Sequence, residues 1–119
     1  MRKTLVIGAS SKQERPSYEC IIKLQNKGIP TEAISGRPGN IDDIKFHVGE
    51  PELNDIDTVT LYLGKQNQPP LYNYIIGLEP RRVIFNPGAE NKEFEELLIL
   101  SNIEPIVGCT LVMLNIGTF

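Results

Sequence analysis

The chain has 119 residues, which predicts a single domain over residues 1–119 and leaves no room for a separate substrate domain. Its formal net charge of −3 argues against nucleic acid as a partner, because nucleic-acid binders usually carry a basic balance. No apolar run approaches the roughly 20 residues that cross a bilayer, and residues 5–7 are too few for the core of a secretory signal, so we predict a cytoplasmic protein without a membrane partner.

Apolar runs of strand length alternate along the chain with amphipathic stretches of helix length. The predicted elements, in chain order, are a strand at 4–8, a helix at 17–27, a strand at 32–35, an edge strand at 45–48, a strand at 58–63, a helix at 71–78, a strand at 83–85, a helix at 93–98, a strand at 103–107 and a final helical turn or two at 109–114. Alternation of this kind implies right-handed crossovers between parallel strands. We therefore predict an α/β protein with a three-layer α/β/α Rossmann-like fold, a mostly parallel sheet of about five strands and the first strand in a central position.

The loop after the first strand, residues 8–17, is the first candidate ligand site, because ligands of open α/β sheets bind beyond the carboxyl ends of the strands. Gly8 lets the backbone turn sharply and approach a ligand, and the free amides at the start of the next helix favour a phosphate. The side chains that would add hydrogen-bond donors and positive charge are Ser10, Ser11, Lys12 and Arg15. A plainer interpretation is that Ser17 caps the helix and Arg15 is a solvated loop residue. The loop matches neither G-x-G-x-x-G nor G-x-x-x-x-G-K-S/T, so the usual NAD fingerprint and the P-loop are both absent.

The second strand is followed by Ser35, Gly36 and Arg37. In NAD-binding sheets this strand usually ends in an acidic residue that bonds the ribose hydroxyls. An arginine at that place suits a phosphate on or near the ribose. Ser35 and Arg37 therefore favour a ribose-phosphorylated ligand over NAD.

The strand predicted at 83–85 is followed by Asn86, Pro87 and Gly88 on the same edge of the sheet. Asn86 would be placed to hydrogen-bond a base or a pantetheine amide. The alternative is a purely structural turn, with Asn91 capping the next helix. Residues 64–68, after the preceding strand, form another polar loop on this edge.

Several of these segments, taken in order, resemble the small stand-alone CoA-binding proteins, which are similar to the CoA-binding domain of succinyl-CoA synthetase. The segments that carry the resemblance are Gly8-Ala9-Ser10, Arg15-Pro16-Ser17-Tyr18, Thr60-Leu61-Tyr62-Leu63, Val83-Ile84-Phe85-Asn86-Pro87-Gly88, Glu90-Asn91 and Cys109-Thr110-Leu111-Val112-Met113-Leu114. The resemblance covers essentially the whole chain and implies a Rossmann-like domain that binds coenzyme A. The chain departs from the family at Gly64, where a larger polar residue such as Asn is expected.

The resemblance also implies roles for particular residues. Residues 8–10 would contact the pyrophosphate with Arg15 beside them, and Arg37 would lie near the adenosine ribose and its 3′-phosphate. Residues 86–88 would line the cleft. Together with the loop analysis above, the predicted cofactor-binding residues are Gly8, Ala9, Ser10, Lys12, Arg15, Ser17, Ser35, Arg37, Asn86, Pro87 and Gly88.

Few residues are candidates for catalysis. A zinc site needs about four ligands at characteristic spacings. The chain offers two cysteines, Cys20 and Cys109, which lack such spacing, and a single histidine, His47, so we predict no metal. His47 has no evident acid–base partner in the sequence, and we predict no catalytic residue. Cys109 precedes a short apolar helix, and its thiol could form a mixed disulfide with the thiol of CoA.

Three functions therefore stay open. The favoured one is non-catalytic binding of CoA or acyl-CoA, as a carrier, a sensor or a subunit. The alternatives are a CoA-dependent redox or acyl-transfer enzyme acting through Cys109, and an NAD(P) or other nucleotide-binding domain, against which Arg37 and the missing glycine pattern count. The apolar C-terminal residues 115–119 leave a homodimer or an unknown protein partner open.

Overall fold

The computed structural model describes residues 2–119, and a five-stranded sheet lies between two layers of helices. In chain order the elements are β1 (Lys3–Ile7), α1 (Pro16–Asn26), β2 (Thr31–Ile34), β3 (Asn40–Ile41), β4 (Ile44–Lys45), β5 (Ile56–Leu61), α2 (Tyr72–Gly77), β6 (Arg82–Phe85), α3 (Lys92–Leu100), β7 (Glu104–Val107) and α4 (Thr110–Ile116). Two 3₁₀ turns, Lys65–Asn67 and Pro69–Leu71, precede α2. The predicted three-layer Rossmann-like fold is confirmed.

The strand order in the sheet is β2-β1-β5-β6-β7, and every neighbouring pair is parallel. The chain passes from β1 to β2 on one side and returns to β5 on the other side of β1. The strand order therefore reverses between β1 and β5, and the connections from their carboxyl ends diverge. A cleft opens at such a switch point in doubly wound sheets, and that is where their ligands bind.

Each face of the sheet builds its own apolar core, because successive side chains of a strand point to opposite sides. Leu5 and Ile7 face the core that contains α2 and α3, whereas Val6 faces the core formed with α1 and α4. Phe94 of α3 is fully buried, stacks on Tyr72 at 4.3 Å between ring centroids and meets the edge of Phe85 at 5.8 Å.

Helix α1 begins one residue earlier than predicted, because Pro16 fits the first helical position. Its buried residues, at helical spacing, are Ser17, Cys20, Ile21 and Leu24. Ser17 makes no capping hydrogen bond, so the interpretation of Ser17 as a helix cap is wrong. Asn91, by contrast, caps α3 as predicted: its side-chain oxygen accepts a hydrogen bond from the amide of Phe94 at 3.2 Å.

The edge strand predicted at 45–48 is reduced to a single bridge. His47 pairs in parallel with Ile34, donates its amide to Ala33 O and accepts from Ser35 N, both at 2.9 Å. Ile44–Lys45 instead forms a two-stranded antiparallel hairpin with Asn40–Ile41. Ile41 and Ile44 are buried in the same apolar core as α1, and the segment stays next to β2 through His47.

No helix within residues 2–119 has both the length and the apolar character needed to cross a membrane.

Candidate functional site

A cavity of about 510 Å³ lies at the carboxyl edge of the sheet, over the switch point between β1 and β5. Its wall comes from four segments that follow strands of the five-stranded sheet, together with Phe46, which follows β4. The four segments are residues 8–12 and 15–17 after β1, 35–38 after β2, 62–64 after β5, and 87–89 after β6. Ten of the eleven predicted cofactor-binding residues lie in this wall, and the exception is Asn86.

Gly8 is where the chain turns from β1 into the cavity wall. Its φ is +93°, and a Cβ placed there would lie 2.6 Å from the carbonyl oxygen of Tyr62. Only glycine tolerates both the backbone conformation and the approach of β5. The amides of Gly8 and Ala9 both donate to Ile34 O at 3.0 Å, so these two donors are already used within the protein.

The donors that remain in this loop lie further along it. Within residues 2–119, the amides of Ser10, Ser11 and Ser17 donate to no protein acceptor. The hydroxyl oxygen of Ser10 accepts from the amide of Lys12 at 3.1 Å, which leaves the hydroxyl hydrogen of Ser10 free to donate. The Ser35 hydroxyl oxygen accepts in the same way from the amide of Arg37, at 3.4 Å.

The cavity wall is cationic on this side. Lys12, Arg15 and Arg37 all lie in the wall, and none has a salt-bridge partner among residues 2–119. The described part of the chain places no aspartate or glutamate in the wall. In a protein of net charge −3, this concentration of positive charge suits an anionic ligand.

The opposite side of the wall, residues 62–64 and 87–89, carries no charged side chain. Gly64, where the chain departs from the family pattern, lies here, and a Cβ at that position would come within 2.8 Å of the side-chain oxygen of Gln66. Gln66 is exposed, so its flexible side chain could move aside.

Asn86 is placed differently from the prediction. It is 1% exposed, and its amide nitrogen donates to Thr60 Oγ1 at 2.7 Å and to Leu61 O at 2.8 Å. Its side-chain oxygen accepts from the amide of Thr110 at 2.9 Å, which ties the start of α4 to the sheet. The expectation that Asn86 lines the cleft is therefore wrong, because its hydrogen-bonding groups face the protein interior.

Nine wall residues are not among the predicted cofactor-binding residues, and Phe46, Tyr62 and Leu63 are the large apolar ones. Phe46 reaches the wall because its amide donates to Gly39 O at 2.9 Å, and its ring lies 3.2 Å from the position of a Cβ on Gly39. Nothing in the local pattern of residues 45–48 indicates this turn. Tyr62 and Leu63 stand within one of the segments that carry the family resemblance, which was the available signal.

The candidates for catalysis lie outside the cavity wall. His47 Nε2 is 3.1 Å from Glu32 Oε1, and Lys3 donates to the other oxygen of Glu32 at 2.9 Å. Burial opposes ionisation of Glu32, but the hydrogen bonds from His47 and Lys3 outweigh it and lower the pKa of this carboxyl.

Cys109 is the residue before α4 and is half-buried, whereas Cys20 is fully buried on α1. Burial raises the pKa of the Cys20 thiol to about 11. Within residues 2–119, no cluster of three or more His, Cys, Asp or Glu side chains could hold a metal ion.

Comparisons with known proteins show the family and the fold of the chain. The model of a family described as CoA binding domain matches residues 2–115. A crystal structure of an uncharacterised protein is 44% identical, with a TM-score of 0.96 over 100% of this chain and 98% of the other. None of the curated proteins matches the sequence.

Two further structures show the same fold at low identity. A protein from Thermus thermophilus is 18% identical, with a TM-score of 0.80 over 99% of this chain and 91% of that one. A hypothetical protein from Pyrococcus horikoshii OT3 is 15% identical, with a TM-score of 0.86 over 98% of this chain and 83% of that one.

Proposed function

The chain belongs to the CoA binding domain family, and on that premise we propose that it binds coenzyme A or an acyl-CoA in the cavity at the carboxyl edge of the sheet, without chemistry on the ligand. The single observation that carries this proposal is the charge of the wall: three cations without partners and no carboxylate among the described residues. CoA presents a pyrophosphate and a ribose phosphate to such a wall.

The placement of the cations suits two separate phosphate groups. Lys12 and Arg15 share the β1–α1 loop with the free amides of Ser10 and Ser11, a combination that suits the pyrophosphate. Arg37 follows β2, where a Rossmann-type sheet receives the ribose, and its guanidinium suits the 3′-phosphate. We therefore assign the adenosine end of the ligand to the β1 and β2 loops.

The uncharged side of the wall is left for the pantetheine arm. Residues 62–64 and 87–89 offer backbone amide groups and apolar surface, which match a chain of amides and methylenes. The cavity volume of about 510 Å³ falls within the range of about 300–1,000 Å³ that is typical of small-molecule sites.

The absence of chemistry is part of the proposal because neither the nucleophile nor the base considered above is a residue of the wall. His47 contacts Glu32 behind the β2 loop, and Cys109 stands before α4. The wall itself holds hydroxyls and cations, which orient and bind but have no paired base within it.

Isothermal titration calorimetry against CoA, 3′-dephospho-CoA, NAD and ADP tests the proposal. We expect CoA to bind most tightly, and we expect Arg37→Ala to weaken CoA about ten-fold while leaving 3′-dephospho-CoA unchanged. Lys45→Ala is the matched control, since it removes the same charge from the exposed hairpin outside the wall. A preference for NAD, or no binding of any of the four ligands, would overturn the proposal.

A further inference from the structure

Gln68 lies beneath the uncharged side of the cavity wall. It stands between the two 3₁₀ turns that follow β5, and it is 0% exposed although it is polar. A glutamine amide left unpaired at such a depth would strongly disfavour folding. Every hydrogen-bonding group of this side chain should therefore have a partner.

The amide nitrogen of Gln68 joins two loops that come from different strands. It donates to Leu63 O, in the loop after β5, and to Ala89 O, in the loop after β6, each at 2.8 Å. Leu63 and Ala89 both lie in the cavity wall. Within residues 2–119, no backbone hydrogen bond directly joins residues 62–64 to residues 87–89.

The orientation of the Gln68 amide is fixed by Asn91. The side-chain oxygen of Gln68 accepts from Asn91 Nδ2 at 2.9 Å. If the Gln68 amide were rotated by about 180°, its NH2 group would face the NH2 group of Asn91, and its oxygen would face the carbonyl oxygens of Leu63 and Ala89. Neither contact is a hydrogen bond, so only the observed orientation is satisfied. Asn91 in turn caps α3 and donates to the hydroxyl of Tyr72 at 2.8 Å. The hydrogen bonds by which Gln68 joins the two loops are therefore connected, through Asn91, to the first turn of α3.

We propose that Gln68 is a positioning residue for the ligand: it sets the spacing between residues 62–64 and 87–89, and so the width of the part of the cavity that takes the pantetheine arm. This inference rests on the proposed function for the identity of the ligand. Gln68 does not lie in the wall and touches no ligand atom in this role. It acts only through the two carbonyl groups that it holds.

The test is a Gln68→Met variant, which keeps the length of the side chain and removes all three hydrogen bonds. By calorimetry we expect its affinity for CoA to fall about ten-fold, because each binding event must now order two loosened loops. Adenosine 3′,5′-bisphosphate, which reaches only the cationic side, should bind as it does to the wild type. Equal losses for both ligands, or an unchanged CoA affinity, would overturn the proposal.

The control is Leu98→Ala, which destabilises α3 from a fully buried position that is not in the wall. It should lower thermal stability and leave both affinities unchanged. If Gln68→Met does not fold, Asn91→Asp replaces it. Asp keeps the helix cap and removes the donor to Gln68, so it should produce the same split between the two ligands with a smaller amplitude.

Amide hydrogen exchange in the ligand-free protein separates this proposal from the proposed function. In Gln68→Met, or in Asn91→Asp if that variant has to be used, we expect faster exchange at the hydrogen-bonded amides of the two loops. These are the amides of Tyr62 and Ala89, which donate to Ile7 O and Asn86 O at 2.8 Å. Their rates should rise by more than the general change seen in Leu98→Ala. An unchanged exchange rate at these amides would contradict the positioning role whatever the ligand is. If the wild type binds neither ligand, the proposed function fails, and the exchange comparison still decides the role of Gln68.

Discussion

The cationic side of the cavity, formed by the loops after β1 and β2, and the uncharged side, formed by the loops after β5 and β6, are built differently. On the cationic side the groups suited to a ligand are Lys12, Arg15 and Arg37, which have no salt-bridge partner within residues 2–119. On the uncharged side the side chains that matter are buried beneath the wall, and Gln68 and Asn91 shape the loops through hydrogen bonds. If the cavity binds CoA as proposed, the cationic side attracts the phosphate groups and the uncharged side sets the shape of the cavity. Substitutions on the two sides should then weaken binding in different ways.

Gly8→Ala should produce the largest effect, because Gly8 on the cationic side lies directly against the backbone of Tyr62 on the uncharged side. The new Cβ would lie 2.6 Å from Tyr62 O, and the residue would keep a φ of +93°. We expect a loss of about 2–4 kcal/mol in the free energy of unfolding, measured by urea denaturation, together with loss of CoA binding. Backbone cannot move aside as a flexible side chain does.

Gly28→Ala is the control for Gly8→Ala. Gly28 also has a positive φ, +71°, but no atom of the described residues beyond its chain neighbours lies within 4 Å of its Cβ position. Its replacement should therefore cost about 1–2 kcal/mol from the backbone conformation alone. Equal losses of unfolding free energy in the two variants would show that the close approach between Gly8 and Tyr62 adds nothing to the destabilisation by Gly8→Ala.

The sequence predicts the cationic side of the cavity better than it predicts the uncharged side. The fold and the cationic loops could be predicted, because buried strands and loop cations are recognised from residue type and position alone. Asn86 and Gln68 could not be assigned correctly, since each is a polar residue near a strand end. Only the three-dimensional packing shows that Asn86 turns inward to Thr60 and Thr110. Phe46 was missed because the predicted edge strand at 45–48 is replaced by a hairpin that ends at Lys45 and a single bridge at His47.

Arg15→Ala tests whether the cationic side binds the ligand through electrostatic attraction of its phosphates. We expect CoA affinity to fall about ten-fold at low salt, because a charge-assisted contact to phosphate is lost. The difference from the wild type should shrink as the ionic strength rises, since salt screens exposed charges. Calorimetry at two salt concentrations measures this, with Lys27→Ala at the far end of α1 as the charge-matched control. A loss that is independent of salt would indicate that Arg15 acts through packing instead.

Glu32→Gln tests the electrostatic support behind the β2 loop and should have a smaller effect. The pKa of Glu32 is lowered in the folded state, so its ionised form stabilises the fold above the unfolded pKa of about 4.3. That stabilisation should be lost as the pH falls through the lowered pKa. Glu32→Gln should therefore be less stable than the wild type at neutral pH, and the gap should close in acid.

Urea denaturation at several pH values measures this gap. Glu95→Gln on α3 is the control, since Glu95 has no salt-bridge partner among residues 2–119. If the gap between Glu32→Gln and the wild type persisted unchanged in acid, the contacts of Glu32 with His47 and Lys3 would not be the source of the stabilisation.

Cys109→Ser should have the smallest effect, and it separates binding from catalysis. Cys109 stands before α4 and outside the wall, so removing its thiol should leave CoA affinity within about two-fold of the wild type. Incubation with CoA disulfide followed by mass spectrometry should detect no adduct on Cys109. An adduct there, or CoA-dependent turnover that Cys109→Ser abolishes, would show that the thiol of Cys109 comes within reach of the ligand thiol. Either result would contradict the proposal that the protein binds CoA without chemistry.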